Sequence, residues 1–484
     1  MAEDTTDYDF CEPNANGTML YYRYVEENYC EVVKGLEHYS GVISIPAYVT
    51  ERQIPVVGVG YLAFSGCKGL TEVYLPSTML YLETASFYRC SNLQKIVLND
   101  NLIAIGQNAF EGCSELSSIN IPQTLEYLGY EAFCYCTKMR SILYNDKYFF
   151  YYPGSYEPEN PVFTIPEGIE VIGEGAFIFT LLEEVVIPNT VKIISDYAFD
   201  GSTIQRVKIP SSVETIGNHA FSQTLLDEVV VPSSVKNFGE HMFYHTIALK
   251  KAVLENPLDS IPYSTFDSSI GLKEVHYPST VHRLGDFSFC QCLELTQLPD
   301  LSNINQIGIY AFYACYGLNS VTIPASITKI PDYAFCMCLG VKEVNLPEGI
   351  ESIGEYAFWQ LPLLNSIVIP KSIKSIGEYA FAACGLKDVY VQWQYPLELQ
   401  HSIFSTSPET TLHVPAGTAE RYANAQYWSK FKNIVEDVTS IENVRFDNKK
   451  DSYSRPVKQL IGGKIVIDGG TSGKLLIDGR KYSD

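Results

Sequence analysis

Apolar and polar positions follow one pattern that recurs along most of the chain. The segment Leu346–Val368 reads LPEGIESIGEYAFWQLPLLNSIV, and the next, Ile369–Val391, reads IPKSIKSIGEYAFAACGLKDVYV. Each unit contains a short run in which apolar and polar residues alternate, as at Leu70, Val73 and Leu75, which is typical of a β-strand. Proline follows this run in many units and predicts the end of the strand, because proline cannot donate to a sheet ladder.

An Ala-Phe pair in most units marks the period of this pattern. Its phenylalanine recurs at ten intervals of 23 residues, three of 22 and one of 44. These phenylalanines are Phe64, Phe87, Phe110, Phe133, Phe177, Phe199, Phe221, Phe243, Phe266, Phe289, Phe312, Phe335, Phe358, Phe381 and Phe404. Such regularity predicts a solenoid, in which each unit buries its apolar face against its neighbours. We expect an α/β-type repeat solenoid, mostly strand and loop, with a parallel sheet on its concave face and stacked phenylalanines inside.

Two local features of the repeat carry further predictions. The glycine of the Ile-Gly pair suits a tight turn or a backbone with positive φ. The 44-residue interval holds Asn145–Pro166, which is either a decayed repeat or an inserted hairpin. The aromatic run before Pro153 and Gly154 favours a strand, a turn and a return strand there. A seam in the array is therefore expected near residue 150.

Capping segments are expected at both ends of the array, because a solenoid must shield its terminal units from solvent. Two strands with a turn near Glu26–Asn28 should cover the first unit. A short helix with Thr418 as its N-cap, followed by Trp428 and Phe431, should close the other end. The expected divisions are an N-terminal region with a β cap (1–45), a solenoid of about 15 repeats (46–415), a capping helix (416–436), a linker (437–452) and a small β tail with a hairpin (453–484).

Thirteen cysteines are present, and eight of them stand three residues after the repeat phenylalanine. These eight are Cys67, Cys90, Cys113, Cys136, Cys292, Cys315, Cys338 and Cys384. Serine or threonine fills this place in five other units, which predicts a small buried residue whose polar atom bonds to the backbone. The Cys-x-Cys pairs lack partners at zinc spacing, so no metal site is expected. Cys11 and Cys30 lie outside the repeat, and a disulfide between them is a hypothesis for the N-terminal cap.

Composition and charge narrow the classes of partner. The net charge of −22 disfavours nucleic acid and anionic membranes, which both require a positive surface. The chain has no run of 18 apolar residues that would span a membrane. Its first residues do not form an export signal, so we expect either a cytoplasmic protein or a signal outside this sequence.

One exposed position lies between the two buried positions of each predicted strand. It is filled by Tyr74, Val97, Asn120, Leu143, Thr164, Val186, Lys208, Val230, Val253, His276, Pro299, Thr322, Asn345, Val368 and Tyr390. This set contains no acid–base pair, no Ser-His-Asp set and no cluster of metal ligands, so neither catalytic nor cofactor-binding residues are expected. An apolar stretch flanked by charges is the candidate protein-binding patch, and it comprises Val186, Lys208, Val230, Val253, His276, Glu184, Arg206 and Glu228. A solvated row of charges is the alternative interpretation of the same residues.

Three stretches resemble the BspA-like class of leucine-rich-repeat proteins. They are the unit I-P…I-G-x-x-A-F-x-x-C-x-x-L, the entry segment ending in SGVISIP, and the closing segment that begins LHVPAGTAERY. The resemblance implies a leucine-rich-repeat fold, export to the surface of host-associated bacteria, and adhesion to host matrix proteins or other bacteria. The absence of cysteine from five central units and from the Phe358 unit departs from the class.

Two functions follow from these observations and from the resemblance. The first is a non-enzymatic, monomeric binding protein at the cell surface or secreted, with a protein or glycan as its partner. The second is a structural or scaffolding repeat protein without a dedicated ligand, which could lie inside the cell.

Overall fold

Successive repeats wind into stacked coils, and most coils contribute two short strands. The computed structural model describes residues 8–50, 53–154, 160–405 and 407–438, and strand backbone at 457–461, 464–468 and 474–477. It divides into two units, Met1–Val438 and Thr439–Asp484. The expected parallel solenoid is confirmed in the first unit, but the sequence pattern predicted only one of the two strand series.

The first series contains the predicted strands at the alternating run of each unit. They are β4 (Ser40–Ser44), β7 (Gly69–Tyr74), β9 (Lys95–Val97), β14 (Val162–Thr164), β16 (Glu184–Val186), β18 (Arg206–Lys208), β20 (Glu228–Val231), β22 (Lys251–Leu254), β24 (Glu274–His276), β26 (Ser320–Thr322), β28 (Glu343–Asn345), β30 (Ser366–Ile369) and β32 (Asp388–Val391). Neighbouring coils pair parallel with equivalent residues opposite each other, for example Val368 with Tyr390. Residues at equivalent positions of successive repeats therefore stack on one another.

The second series lies mainly just before the Ile-Gly glycine, and most of its strands are two residues long. It comprises β6 (Ile54–Val59), β8 (Tyr81–Leu82), β10 (Ala104–Ile105), β11 (Tyr127–Leu128), β13 (Tyr148–Tyr151), β15 (Val171–Ile172), β17 (Ile193–Ile194), β19 (Thr215–Ile216), β21 (Asn237–Phe238), β23 (Ser260–Ile261), β25 (Arg283–Leu284), β27 (Lys329–Ile330), β29 (Ser352–Ile353) and β31 (Ser375–Ile376). Two residues are too short a run to show alternation, so this series gave no sequence signal.

Stacked phenylalanine rings run through the interior, as the Ala-Phe period predicts. Phe335, Phe358 and Phe381 have ring centroids 5.5 and 5.3 Å apart with nearly parallel planes. All fifteen repeat phenylalanines are buried. Away from the ends of the array and the break near residue 150, the stack gives each ring a neighbour from the coil on either side, which is the nearest-neighbour burial that a solenoid requires.

The Ile-Gly glycine begins a tight turn, as expected, with the Gly377 carbonyl oxygen accepting from the Ala380 backbone nitrogen at 3.3 Å, but positive φ is not the reason for glycine there. Gly354 and Gly377 do not have positive φ. A Cβ on Gly377 would lie 2.4 Å from the backbone nitrogen of Glu355 in the preceding coil, so glycine is required by close packing of coils. Positive φ occurs instead at non-glycine residues two before and two after the phenylalanine, such as Tyr356 and Gln360.

A seam interrupts the stack where the 44-residue interval falls. Strand β12 (Leu143–Tyr144) pairs antiparallel with β13, so a hairpin closes at 145–147. Strand β13 then pairs parallel with β15, while β14 pairs with β16 in the other series. The strands on either side of Pro153 and Gly154 belong to different sheets, and the predicted hairpin turn at those two residues is wrong.

Adjacent residues of β13 serve two separate cores at this seam. Phe150 belongs to the apolar core of the first coils, and Phe149 belongs to the core that extends to the C-terminal closure. Phe149 stacks on Phe177 at 4.7 Å, whereas Phe133 meets Tyr151 at 5.4 Å in a tilted arrangement. Neighbouring side chains of a strand point to opposite faces, so Phe149 and Phe150 of one strand can contribute to the two cores.

Antiparallel strands cover the first coil. Strand β2 (Met19–Glu26) pairs with β1 (Phe10–Pro13) and with β3 (Tyr29–Val33), which confirms the two strands predicted around Glu26–Asn28. Strand β5 (Tyr48–Val49) pairs with β6. The hypothesis of a disulfide between Cys11 and Cys30 is wrong: both thiols are free. Their strands lie on opposite sides of β2, about 10 Å apart, which exceeds the reach of a disulfide.

A helix and two strands close the other end of the array. Strands β33 (Thr411–Pro415) and β34 (Asn433–Val438) extend the first series beyond β32, and α1 (Ala419–Asn424) and a 3₁₀ turn (Trp428–Lys430) lie between them. Trp428 and Phe431 are buried, as predicted, and their rings lie 6.0 and 5.4 Å from Phe404.

Thr418 occupies the N-cap position of this helix but does not cap it with its side chain. Its hydroxyl donates to the carbonyl oxygen of Pro415 at 2.6 Å. The Glu436 carboxylate accepts from the backbone nitrogens of Ala419 and Gly417 at 2.7 and 3.0 Å, and these bonds lower the pKa of Glu436. A residue from β34 therefore replaces the local cap that the sequence suggested.

The second unit is a small antiparallel sheet. Its strands are β35 (Val457–Ile461), β36 (Lys464–Asp468) and β37 (Lys474–Ile477), in that order. All three strands lie within the tail (453–484) that was expected to contain a hairpin. Of the expected linker, Asp437 and Val438 belong to β34, and residues 439–452 lie outside the described residues.

Candidate binding face

Five successive strands of the first series bring the sequence-predicted patch together. We call the outward residues of β16, β18, β20, β22 and β24 the central strand face. Its first row is Glu184, Arg206, Glu228, Lys251 and Glu274, and its second row is Val186, Lys208, Val230, Val253 and His276. Each row has one residue per strand: β16 pairs in register with β18, and β22 pairs in register with β20 and β24, while β18 and β20 belong to separate ladders of the same stack of coils. All eight predicted binding residues lie in these two rows.

Charges alternate along the first row and pair with one another. Arg206 Nε lies 2.9 Å from a carboxylate oxygen of Glu184, and Lys251 Nζ lies 3.3 Å from Glu274. Glu274 also contacts the His276 ring. Hydrogen bonds from His276 and from Lys251 lower the pKa of Glu274. The row is thus a partly neutralised ladder, in which exposed pairs contribute little stability individually.

The second row exposes apolar surface between polar ends. Val186 and Val230 retain 40% and 50% of their full exposure, which is high for valine. Val253 is half-buried, whereas Lys208 and His276 are exposed. The arrangement can provide apolar contact from the valines, flanked by hydrogen-bonding groups, which is the composition of a protein-binding surface.

Two of the fifteen positions predicted to be exposed are buried. Leu143 lies in the hairpin strand β12 and packs into the first core. Pro299 is also buried, in a coil where the described backbone forms no strand between Gln297 and Leu301. The alternation rule fails at these two places because each departs from the parallel strand on which the rule depends.

A shallow groove that the sequence did not reveal borders the central strand face. It has a volume of about 420 Å³ and is lined by Gln205, Arg206, Leu225, Asp227, Ala248 and Lys250. Lys250 Nζ lies 2.7 Å from Asp227 along its wall. The lining comes from residues at or just before the start of β18, β20 and β22, so only the stacking of coils brings it together.

A second aromatic ladder lies outside the core and was also missed. Its members are Tyr130, Tyr197, His219, His241, Tyr263, Phe287, Tyr310, Tyr333, Tyr356 and Tyr379, with consecutive ring centroids 4.3 to 5.6 Å apart. Burial raises the pKa of Tyr310 and Tyr333. The recurring tyrosine just before Ala-Phe was a signal that could have revealed this ladder.

The described part of the chain contains neither a candidate metal site nor a helix that could span a membrane. Its His, Cys, Asp and Glu side chains form no group of three or more that could hold a metal ion. Among its helices, none has the length and apolarity to cross a membrane.

The geometry therefore defines a β-solenoid repeat protein whose variable residues lie on an exposed strand face. The profile of the BspA-type leucine-rich repeat region (6 copies) matches residues 48–157, 146–273, 259–387 and 351–451. These stretches together span most of the chain, and the chain belongs to this family. No curated protein matches it significantly.

Solved structures of bacterial leucine-rich-repeat proteins are similar to the chain. A leucine rich cell surface protein from Faecalibacterium prausnitzii has 22% identity and a TM-score of 0.43, over 83% of this chain and 96% of its own. A leucine-rich repeat protein from Bacteroides ovatus has 24% identity and a TM-score of 0.41, over 84% and 100%. The pneumococcal vaccine antigen PcpA has 16% identity and a TM-score of 0.36, over 89% and 100%.

Proposed function

We propose that the chain is a non-enzymatic binding protein, at the cell surface or secreted, that adheres to host extracellular proteins or bacterial surface proteins through its central strand face. The observation that carries this proposal is that repeating and varying positions of the repeat lie in different parts of the fold. Residues that repeat, such as Ile353 and Phe358, are buried, whereas residues that vary lie on the strand face. Membership of the BspA-type family supports an adhesive role.

The charge balance of the central strand face supports a protein partner. The whole chain has a net charge of −22, yet this face has Glu184, Glu228 and Glu274 opposed by Arg206, Lys208 and Lys251. A locally neutral surface with exposed valines suits association in which apolar contact provides affinity and paired charges fix the register. We expect the chain to act as a monomer toward such a partner.

A scaffold without a dedicated ligand is the second candidate, and one observation favours it. The Glu184–Arg206 and Lys251–Glu274 pairs satisfy each other within the molecule. Charges that already have partners on their own surface are typical of a solvated face. The two candidates differ in whether disruption of the face changes binding.

A binding assay with a matched pair of variants distinguishes these candidates. Purified protein is titrated onto immobilised extracellular-matrix proteins and onto bacterial surface proteins at physiological salt. Val230→Asp should weaken any saturable binding at least tenfold, because it places a charge in the apolar row. Val368→Asp occupies the equivalent repeat position outside the central strand face and should leave binding unchanged. Absence of saturable binding to every surface would remove the adhesive function.

The proposed location has its own test. Intact cells of the source organism are treated briefly with a protease, and the full-length protein is followed by immunoblot beside a cytoplasmic marker. Loss of the protein with retention of the marker is expected. Protection of both would favour the scaffold.

A further inference from the structure

A cavity of about 170 Å³ opens at the seam between the two stacks of coils. Its apolar walls include Phe133 from the first stack, Phe150 and Tyr151 from β13, and Ile178 and Phe179 from the second stack. Phe133 stacks on Phe110 of the preceding coil, but on its other side it meets the tilted ring of Tyr151 and not the phenylalanine of a following coil. The cavity therefore follows from the break in the repeat.

Two carboxylates line the same cavity, one from each stack. They are Glu131, just before Ala132 and Phe133, and Glu174, just after the Ile-Gly pair of the next regular coil. The Tyr127 hydroxyl donates to Glu174 Oε2 at 3.0 Å across the seam. An apolar cavity with two acidic groups in its wall has the composition of a small-molecule site with one charged contact.

The charge of these groups is incompletely compensated. Burial raises the pKa of Glu174, and the negative charge of Asp196 acts in the same direction, whereas hydrogen bonds from Tyr127 and Gln107 oppose the rise without reversing it. Burial also raises the pKa of Asp200, and the negative charge of Glu131 contributes to that rise. Among the described residues, the ion pairs do not include Glu131, Glu174 or Asp200. A partly buried carboxylate without a counter-charge favours the arrival of a cation.

The surroundings of the two carboxylates include an arginine and two exposed aromatic rings. The positive charge of Arg140 opposes the rise in the pKa of Tyr151 that burial causes. The Arg140 guanidinium donates to the carbonyl oxygens of Thr137 and Met139. Tyr135 and Phe179 also line the cavity, and they retain 71% and 46% of their full exposure. Aromatic rings beside carboxylates are the combination that recognises organic cations.

We propose that this cavity binds a small organic ammonium ion with an apolar body. The hydrocarbon part fills the space between Phe133, Phe150 and Ile178, and the ammonium group pairs with Glu131 and Glu174. This site is separate from the central strand face, so its occupancy does not depend on the function proposed above.

The probe is 2-phenylethylammonium, titrated into the full chain by isothermal calorimetry at neutral pH. Its uncharged analogue 2-phenylethanol has nearly the same size and should bind at least tenfold more weakly, because it cannot pair with the carboxylates. Ile178→Trp fills the cavity and should abolish binding of both compounds.

Carboxylate variants assign the charged contact. Glu174→Gln and Glu131→Gln should each lower the affinity for the ammonium ion at least tenfold. Glu355 follows Gly354 as Glu174 follows Gly173 but lies in a regular coil, so Glu355→Gln is the matched control and should change nothing. Circular dichroism melting of each variant verifies that it is folded.

Three results would overturn the proposal. They are no saturable binding of 2-phenylethylammonium at millimolar concentration, equal affinity for 2-phenylethanol, and an equal loss of affinity in the Glu355→Gln control.

Discussion

A single residue position shows how the coils are joined to one another. The residue three after the phenylalanine is buried in most coils, and in most coils its polar atom donates to the phenylalanine carbonyl of the preceding coil. Cys315 Sγ lies 3.1 Å from the Phe289 oxygen, and Ser269 Oγ lies 2.6 Å from the Phe243 oxygen. This bond explains why Cys, Ser and Thr exchange at this position, as the sequence suggested. Thr180 and Thr224 donate within their own coils instead.

We expect Cys315→Ala to destabilise the chain by about 1–2 kcal/mol, because it removes a buried sulfur and its bond to the Phe289 oxygen. Cys315→Ser should cost less than half as much, since serine makes this bond in another coil. Urea unfolding followed by circular dichroism measures both changes. An alanine variant as stable as the unmodified chain would contradict the role of the bond.

Two histidines of the exterior ladder make stability depend on pH. The His219 and His241 rings stack 4.3 Å apart, between Tyr197 and Tyr263. Burial lowers the pKa of both, and the charge of His241 lowers that of His219 further. The carboxylates of Asp196, Glu240 and Asp267 act in the opposite direction but do not reverse the shift.

The sign of this dependence follows from proton uptake. Because the folded-state pKa values lie below the ordinary value of 6.5, the unfolded chain takes up protons first as the pH falls. The contribution of this pair to stability is therefore complete above pH 6.5 and is lost as the pH falls below it. His219→Tyr combined with His241→Tyr should reduce the difference between urea midpoints at neutral and mildly acidic pH. His401→Tyr, at an exposed position outside the ladder, is the control.

At the scale of the element, the phenylalanine stack and the first strand series follow from the sequence because both repeat a strong local signal. The two-residue strands could not be predicted, since hydrogen bonds to the neighbouring coil define them and their own residues do not. The tight turn at the Ile-Gly glycine was predicted, but the close packing between coils that requires glycine there was not. Close approach of Gly377 to Glu355 is a contact between coils, which one unit alone cannot show.

Loss of one ring from the stack should be costly. Phe221 is fully buried between Phe199 and Phe243, with centroids 5.1 and 6.1 Å away. Phe221→Ala should lower the free energy of unfolding by about 3–5 kcal/mol, the usual effect of deleting a buried phenylalanine. Tyr61→Ala removes an exposed ring and should cost about 0.5 kcal/mol or less. An unchanged urea midpoint for Phe221→Ala would disprove its place in the core.

At the scale of the whole molecule, the seam divides the array into two cores. Its approximate position could be predicted from the 44-residue interval, but the exchange of cores at Phe149 and Phe150 could not. That exchange depends on which face of β13 each side chain occupies, and the sequence does not fix the register of an irregular strand. The residues of the central strand face were predicted because they follow the regular register. The cavity and the groove require side chains from several coils and left no local signal.

The two cores should respond separately to substitution at the seam. Phe150→Ala should lower hydrogen-exchange protection mainly in the coils before residue 144, and Phe149→Ala mainly in those after residue 160. The reason is that each ring completes a different core, and stability in repeat arrays depends on nearest neighbours. The variants are adjacent in sequence and identical in chemistry, so each controls for the other. Equal loss of protection on both sides would show that the cores unfold together.

The in-register stacking of the coils has a consequence for how such a chain changes over generations. Removing Leu346–Val368 would join Asn345 to Ile369, and Ile376 and Phe381 would occupy the places of Ile353 and Phe358 in the stack. Duplication or loss of a unit by unequal recombination therefore needs no compensating mutation in the core. Each event would move the rows on either side of it by about 4.8 Å relative to one another. The distance between contact rows is thus inherited in discrete steps, and selection by a partner can act on unit number as well as on individual residues.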